Sequence, residues 1–506
     1  MFGGIAYGQT PHHEYNLNLS AKRITPFADG KRPEGFPSME EFIEEFVAEH
    51  PEVSSQFVNT SRQFYGQYLR HLVDLAVKKA GNKVSFETVY DQAVDMHETA
   101  DGVTLQLQSG QNIQASRVIL ATGFKEAVNP AFSFNVASHA GYLDYPYSEA
   151  ANGFFKRVIE GPQNAPDKKA LVIGTGLSAM DSANRLLDSG YQGKIVMISR
   201  RGLMHAIYRQ ISENPRDLLQ GEPRDEADLP FTRNAPDFIQ KMPQCKTFDD
   251  LFTLFKKEMF QRLREGYTTE EVLGHWEKYV PDVYRSFPQE TADFLLNYET
   301  AINVMRVGTT PELADKILKA QQEGRLEIIS GRISDMQRTP QGINVTWRPN
   351  NRHGQRVGAD RSDVFNTVIN GIGNSTKYDL PADKIKDTLW KNLRARNAYT
   401  VHALRDGVAV TPDFHLIDGN GAPYKRVTVI GAPVSGHMNV SSYAYPEKDG
   451  AGARLGAFTL NIQGILGGVL AMVDSNYGDF RKAQIAATLP RADLRAVASS
   501  TPPAPA

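Results

Sequence analysis

Ala170-Leu171-Val172-Ile173-Gly174-Thr175-Gly176-Leu177-Ser178-Ala179 is the stretch on which the reading of this chain turns. Four apolar residues running into a glycine predict a short strand buried on both faces. A helical pattern follows through Arg185-Leu186-Leu187 to Ser189-Gly190, and then a second apolar run, Lys194-Ile195-Val196-Met197-Ile198-Ser199. Strand, glycine turn, helix and strand in this order make a βαβ unit, which requires a parallel sheet. The spacing Gly174-x-Gly176-x-x-Ala179 suits a dinucleotide: Gly174 permits the tight turn, Gly176 has no Cβ to block a pyrophosphate, and Ala179 lets the helix lie close to the sheet. The helix start at Leu177 and Ser178, with Thr175 before it, offers unpaired N–H groups and the positive end of the helix dipole to phosphates. The bland alternative is a structural turn, because glycines end strands in many folds.

The end of the second strand addresses the choice of nucleotide. An NAD site usually places Asp or Glu there for the ribose 2′-hydroxyl, whereas this chain has Ser199-Arg200-Arg201. Two guanidiniums and a hydroxyl suit a 2′-phosphate, so NADPH is the expected nicotinamide cofactor. On the other reading, one or both arginines are solvated surface residues.

Moving upstream, the periodicity predicts helices over Met39 to Val47 and Ser61 to Lys79. Alternation then sets in at Val84-Phe86, Val94-Met96 and Val103-Leu105-Leu107. With turns at Asp101-Gly102 and Ser109-Gly110 it reads as a hairpin meander. Val118-Ile119-Leu120 predicts a short apolar strand entering Ala121-Thr122-Gly123, and residues 129 to 168 read as a linker with a short helix near Phe154 to Ile159. Downstream, residues 205 to 320 are polar and helical, with breakers at Pro223, Pro230, Pro236 and Pro243. Period two returns over 325 to 347. Two further apolar strands run into glycine, one from Val364 to Gly373 and one from Arg426 to Gly431. The tail from 490 to 506 is too poor in large apolar groups to pack and is expected to be disordered.

Several segments together resemble the bacterial FAD/NAD(P)-binding flavoprotein family, whose relatives include flavin-dependent N-hydroxylating monooxygenases, among them the aspartate N-monooxygenase that forms nitrosuccinate. They are Gly4-Ile5-Ala6-Tyr7-Gly8, Asn16, Arg23 to Phe27, Arg62-x-x-Tyr65-Gly66-x-Tyr68-Leu69, Ala121-Thr122-Gly123, Gly174 to Asp181, Ile198 to Gly202, Gly324-Arg325-Leu326 and Asn370 to Gly373. The resemblance spans roughly residues 3 to 435. It implies that Ala121-Thr122-Gly123 and Gly373 mark the crossings between a flavin domain and an inserted nicotinamide domain, and that Gly431 ends the last flavin-domain strand. Ala432 stands where such strands usually continue with Asp, a departure that puts the usual ribityl contact in question. Tyr7, Asn16, Arg62 and His437 face the flavin or the substrate on this resemblance; as bare sequence they are turn, helix and loop residues. The family opens with a strand and G-x-G-x-x-G for the ADP half of FAD. The expectation is that this unit lies upstream of Met1, the alternative being loss of the usual FAD binding.

Composition narrows the function classes. The chain has 506 residues, 41% of them hydrophobic, with 56 Lys+Arg against 58 Asp+Glu for a net charge of −2. No bulk field draws in nucleic acid or an anionic membrane. A single Cys245 leaves no internal disulfide and no Cys-rich zinc site, and the twelve histidines contain no H-E-x-x-H. No metal site is expected. The apolar run Ile465 to Val473 is too short for a bilayer core that needs about 20 residues, and the start has no charged n-region before an apolar stretch. A cytoplasmic location without membrane or nucleic-acid partners is expected, with a small-molecule substrate and a possible homo-oligomer.

The resulting expectation is an α/β protein of two dinucleotide-binding (Rossmann-like) domains, the NADPH domain inserted in the flavin domain, plus a helical segment. Residues 1–128 and 374–489 form the FAD-binding-like domain, and residues 165–373 form the NADP-binding domain with its helical insertion over about 205–320. FAD and NADPH are the expected cofactors, and the activity is hydroxylation of a small polar amine. The rivals are a flavin reductase without oxygen insertion and a non-catalytic nucleotide-binding protein. No catalytic residue is assigned: cofactors carry the hard step in such chemistry, and the protein positions them and excludes water.

Overall fold

The computed structural model describes Tyr7 and residues 32–49, 61–83, 85–123, 130–207, 237–267, 272, 308–351, 353–373, 378–402, 407–411 and 414–434. Asn16, His437, the segment from Arg23 to Phe27 and the tail 490–506 lie outside the described residues.

The first helices form as the periodicity predicts, α1 over Met39–Glu49 and α2 over Arg62–Ala80. Ser61 caps α2 by accepting from the Phe64 N–H, which satisfies one of the orphan donors of the first turn. Their apolar stripes close on each other through Met39, Ile43, Phe64, Tyr65, Tyr68 and Leu72. The meander follows as β1 (Ala93–Glu98), β2 (Val103–Leu107) and β3 (Asn112–Ala115), all antiparallel. Residues 85–90 join no strand despite their alternation. The short β4, Val118–Leu120, comes next.

Residues 129–168 are more than a linker. Tyr142–Leu143 form β5, which pairs with a strand of the large sheet, and Val136 is fully buried in that sheet's core. The helix expected near Phe154 is α3, Ala150–Glu160. The central unit then appears as read: β6 (Lys169–Ile173), α4 (Leu177–Asp188) and β7 (Lys194–Ser199), with β6 and β7 parallel. The segment read as polar and helical, 205 to 320, also contains strand, and much of it lies outside the described residues. β8 (Ala206–Ile207) pairs in parallel with β9 (Gly308–Thr309), and between them stand α5 (Asp237–Lys241) and α6 (Phe248–Arg264). The chain continues through α7 (Pro311–Gln322), β10 (Leu326–Thr339) and β11 (Gly342–Pro349).

The apolar run ending at Gly373 is two strands, β12 (Arg361–Phe365) and β13 (Thr367–Asn370). Asn366 separates them because its side chain accepts from the Lys169 N–H and donates to the Gln341 carbonyl, so it leaves the ladder to tie β6 to the β10–β11 turn. The last described elements are α8 (Thr388–Ala395), β14 (His415–Ile417) and β15 (Pro423–Val429).

The large sheet has the order β12-β11-β10-β7-β6-β13-β5. Its strands from β10 to β5 are all parallel, and β11 and β12 extend it as an antiparallel hairpin. Period-two alternation splits its core. Ala170, Val172, Ile195 and Met197 face α3, α4 and α7, while Leu171, Ile173, Val196 and Ile198 pack with Ile333, Met336, Val345 and Phe365. A separate core holds the smaller three-stranded sheet, β14-β15-β4, around Trp390, Tyr399, Leu120 and Val429. Since β4 precedes the large sheet in sequence and β15 follows it, the large sheet is inserted between two parallel neighbours of the small one.

Candidate functional site

The carboxyl ends of β6, β7 and β13 meet at one edge. There the Gly174 N–H donates to the Ile198 carbonyl at 2.7 Å and the Gly371 N–H to the Ile173 carbonyl at 2.9 Å. The connection from β6 through α4 leads to β7 on one side, and β13 lies on the other. The turn after β6 therefore sits at a switch point of the sheet, where ligands of open α/β folds bind.

The two glycines of this turn are there for different reasons. Gly174 has φ +111°, and a Cβ there would stand 2.8 Å from the Gly371 carbonyl oxygen and 3.4 Å from the Ala179 Cβ. Gly176 has φ −78°, open to any residue, and its Cβ would meet one protein atom, His205 Nε2, at 3.7 Å. Packing thus explains Gly174, whereas at Gly176, the N-cap of α4, His205 is the one described residue that such a Cβ would meet within 4 Å. Ala179 is fully buried, and a Cβ on Gly371 would come within 2.8 Å of its own Cβ, so the close approach expected of Ala179 is present. Leu177 and Ser178 begin α4 with no side-chain cap. These features fit a pyrophosphate.

Ser199 lies within the turn's own hydrogen bonds. Thr175 Oγ1 lies 2.9 Å from Ser199 Oγ and 2.5 Å from the Leu203 carbonyl oxygen, and the Gly202 N–H donates to Ser199 Oγ at 3.1 Å. Thr175 is the donor toward both oxygens, one hydroxyl proton serving one of them at a time, and Ser199 Oγ accepts within the turn. The arginines also part company. Arg201 lies with its guanidinium 5.0 Å from the Phe248 ring centroid, at the start of α6, while Arg200 is exposed and its carbonyl accepts from Ser330 Oγ and Asn350 Nδ2. Arg200→Ala is expected to lower the preference for NADPH over NADH at least about tenfold, or ~1.4 kcal/mol. Arg201→Ala is expected instead to cost about 1 kcal/mol of stability through the lost stacking and to change the preference less. Parallel NADPH and NADH titrations with melting curves check both, and equal preference in Arg200→Ala and the parent would make Arg200 a surface charge.

In the small sheet β4 and β15 run side by side, and the Ile430 N–H donates to the Leu120 carbonyl. Both continue into glycines of positive φ, Gly123 at +63° and Gly431 at +76°, and a Cβ on either would meet nothing within 4 Å. Gly373, beyond β13, is likewise open at φ +114°. Ala121 is exposed, whereas Thr122 is taken up internally, its Oγ1 accepting from Trp390 Nε1 at 3.1 Å. Ala432 is buried in a 3-10 turn, Ala432–Val434.

Tertiary folding joins two of the resembling segments. Arg62, first residue of α2, places Nη2 3.8 Å from Asp181 Oδ2 on α4 and its guanidinium 5.3 Å from the Tyr147 ring centroid. Tyr147 Oη donates to Asp181 Oδ2 at 2.7 Å. Tyr7 joins the same neighbourhood, its ring edge-on to Tyr65 at 5.1 Å, and a Cβ on Gly66 would overlap the Tyr7 carbonyl. Burial pushes the Tyr7 and Tyr147 hydroxyls above the usual phenol range, and Tyr145 up to about 12, with Arg62 pulling each of them down. Asp181 is only 4% exposed, and burial raises its carboxyl pKa against the opposing pull of Arg62 and Tyr147.

Because folding raises this pKa, the native state holds the Asp181 proton more tightly than the unfolded chain. Its stabilising contribution is full below the unfolded value, about 3.9, and is lost as pH rises through the native one. Asp181→Asn does not titrate, so its melting temperature relative to the parent is expected to improve from about pH 4 to about pH 7. A constant offset across that range would show that Asp181 ionises as it does in the unfolded chain.

Asp181, Tyr145, Tyr147, Gly371, Trp390 and His205 carry no assigned role in the sequence reading. Its place at the end of the resembling segment Gly174 to Asp181 was the available signal for Asp181.

The comparisons with known proteins agree with this architecture. A family model described as FAD-NAD(P)-binding matches residues 1–125. No curated protein sequence matches the chain. Among solved structures, the chain is similar to the cadaverine monooxygenase of desferrioxamine biosynthesis from Erwinia amylovora, bound to FAD, with a TM-score of 0.52 at 13% identity over 94% of this chain and 87% of that one. An ornithine N-hydroxylase from Kutzneria sp. 744, with reduced FAD, NADP+ and L-ornithine, gives 0.51 at 12% over 94% and 90%. The ornithine hydroxylase from Pseudomonas aeruginosa gives 0.50 at 13% over 91% and 86%. At these identities the likeness establishes the fold: Rossmann-like units arranged as in flavoenzymes with two dinucleotide-binding domains. No described helix is long and apolar enough to cross a membrane.

Proposed function

We propose that this chain is a FAD- and NADPH-dependent monooxygenase that hydroxylates a small polar amine at nitrogen. The observation that carries the reading is the turn at the switch point, where packing accounts for Gly174 and, among the described residues, leaves the space over Gly176 open at the start of α4. The parallel β4–β15 pair, ending in two open glycines, supports a second dinucleotide site. The amine specificity is supported by the names of the similar structures, which are amine and amino-acid hydroxylases.

On this reading residues 1–128 and 374–489 hold FAD, with Tyr7, Arg62, Ala121, Gly123 and Gly431 toward the flavin. Asn16 and His437 are retained for the same role on the resemblance alone. Residues 165–373 hold NADPH, with the sheet extended upstream by β5 and Gly373 at the crossing back to the flavin segment. Bound NADPH and FAD supply reducing equivalents and oxygen activation. The chain's own part is to anchor a pyrophosphate over Gly176, to hold Arg200 for the 2′-phosphate, and to fix the α2 segment to α4 through Arg62, Asp181 and Tyr147.

The test is NADPH oxidation by the full chain with a panel of small polar amines. The visible spectrum reports flavin, and hydroxylamine and peroxide are measured as products. Amine-dependent hydroxylamine is the expected result. Peroxide matching the NADPH consumed, whatever amine is present, would make the protein a flavin reductase without oxygen insertion. A chain that binds no flavin would defeat both readings.

A further inference from the structure

The segment from Ser199 to Ile207 is fastened on both sides of one histidine. Upstream, Thr175 holds the Leu203 carbonyl and the Ser199 hydroxyl, and the Gly202 N–H closes on Ser199. Gly202 at φ +61° lies against Ser330 of β10, 3.3 Å from where its Cβ would stand to the serine's own. Downstream, Ala206 and Ile207 pair as β8 with β9. Between these anchors stands His205, half-buried, its Nε2 the described atom nearest a Cβ placed on Gly176, at 3.7 Å. Thr175, between the two glycines, therefore fixes the turn and the histidine segment to each other. An imidazole nitrogen carrying a proton donates a hydrogen bond, and a phosphate oxygen only accepts.

We infer that His205 is a nucleotide-binding residue whose Nε2 meets the phosphate oxygens that occupy the space over Gly176. The inference rests on the NADPH reading of that turn. It adds a side-chain donor to the backbone N–H groups at the start of α4 and separates two parts of the cofactor: His205 serves the pyrophosphate and Arg200 the 2′-phosphate.

The experiment compares two ligands on the full flavin-bearing chain. NADP+ carries both the pyrophosphate and the 2′-phosphate, whereas adenosine 2′-monophosphate carries the 2′-phosphate alone. His205→Ala and His205→Leu, which differ in volume so that one remains informative should the other not fold, are expected to weaken NADP+ at least about tenfold, one decade being ~1.4 kcal/mol, and to leave adenosine 2′-monophosphate unchanged. His205→Gln, which restores an N–H donor, is expected to recover part of the loss. Arg200→Ala is expected to weaken both ligands. Unchanged NADP+ affinity in the Ala and Leu variants, with binding lost in Gly176→Val, would overturn the role of His205 and leave the NADPH reading standing. Equal weakening of both ligands would make His205 a structural support. A parent chain that binds neither ligand would overturn the NADPH reading itself.

Discussion

Gly176→Val is expected to fold, to keep the flavin spectrum and to lose NADPH affinity at least about a hundredfold, or ~2.7 kcal/mol. The backbone at this position, φ −78° and ψ −179°, is extended and accepts a β-branched residue without strain. Among the described residues its Cβ would meet only His205 Nε2, at an ordinary 3.7 Å. Replacing glycine by valine at an N-cap costs about 1 kcal/mol, which a domain of this size survives. The branched side chain instead fills the space left for the pyrophosphate. A melting curve, the flavin absorbance and an NADPH titration decide it. Binding equal to the parent's would reduce Gly176 to a turn glycine and move the nicotinamide site elsewhere.

Gly174→Val, two residues earlier, is expected to give the opposite outcome. Its Cβ would press on the Gly371 carbonyl oxygen at 2.8 Å and carbon at 3.2 Å, and φ +111° is a region that L side chains rarely adopt. The backbone has no room to yield, because the Gly174 N–H is bonded to Ile198 and the Gly371 N–H to Ile173, tying β6 to β7 and to β13. Strain and overpacking each cost about 1–3 kcal/mol, so the variant is expected to lose roughly 3–5 kcal/mol. Urea unfolding measures this, and failure to accumulate as soluble protein is the same result in stronger form. A midpoint equal to the parent's would mean that the turn is looser than its hydrogen bonds indicate. Together the pair separates the two functions that the Gly-x-Gly pattern combines, holding the sheet and admitting a ligand.

Much of the fold was legible because its causes are local. The unbroken apolar runs of β6 and β7 follow from a sheet with a core on each face, and the three- and four-residue spacing of α1 and α2 from one buried stripe. The βαβ unit was legible because a glycine turn between an apolar run and a helical pattern has few other uses. The meander from β1 to β3 was readable from its Asp-Gly and Ser-Gly turns. Two errors came from the same source. β5 is only two residues long, too short to carry a period, and its burial comes from pairing with β13 far along the chain. The run ending at Gly373 looked continuous because its break is made by Asn366 bonding to Lys169 and Gln341, neither of them near it in sequence.

What the sequence by itself determined was therefore the parallel sheet, the position of the glycine turn and the arginine pair after β7, while the insertion of one sheet between the strands of another was what the family resemblance implied. The sheet and the turn follow from steric or hydrophobic rules acting over a few residues. Only the tertiary structure decided which group does what. It showed that Gly174 answers to Gly371 and that, among the described residues, only His205 comes near a Cβ on Gly176. It showed that Ser199 accepts from Thr175 and that Arg201 lies on Phe248 while Arg200 stays exposed. It also brought Arg62 to Asp181 and Tyr147 from well upstream in the chain, and His205 to the side of Gly176. A hydroxyl's proton, a carboxylate's hydration and the space beside a glycine are each claimed by whatever arrives next to them, and those neighbours come from distant parts of the chain.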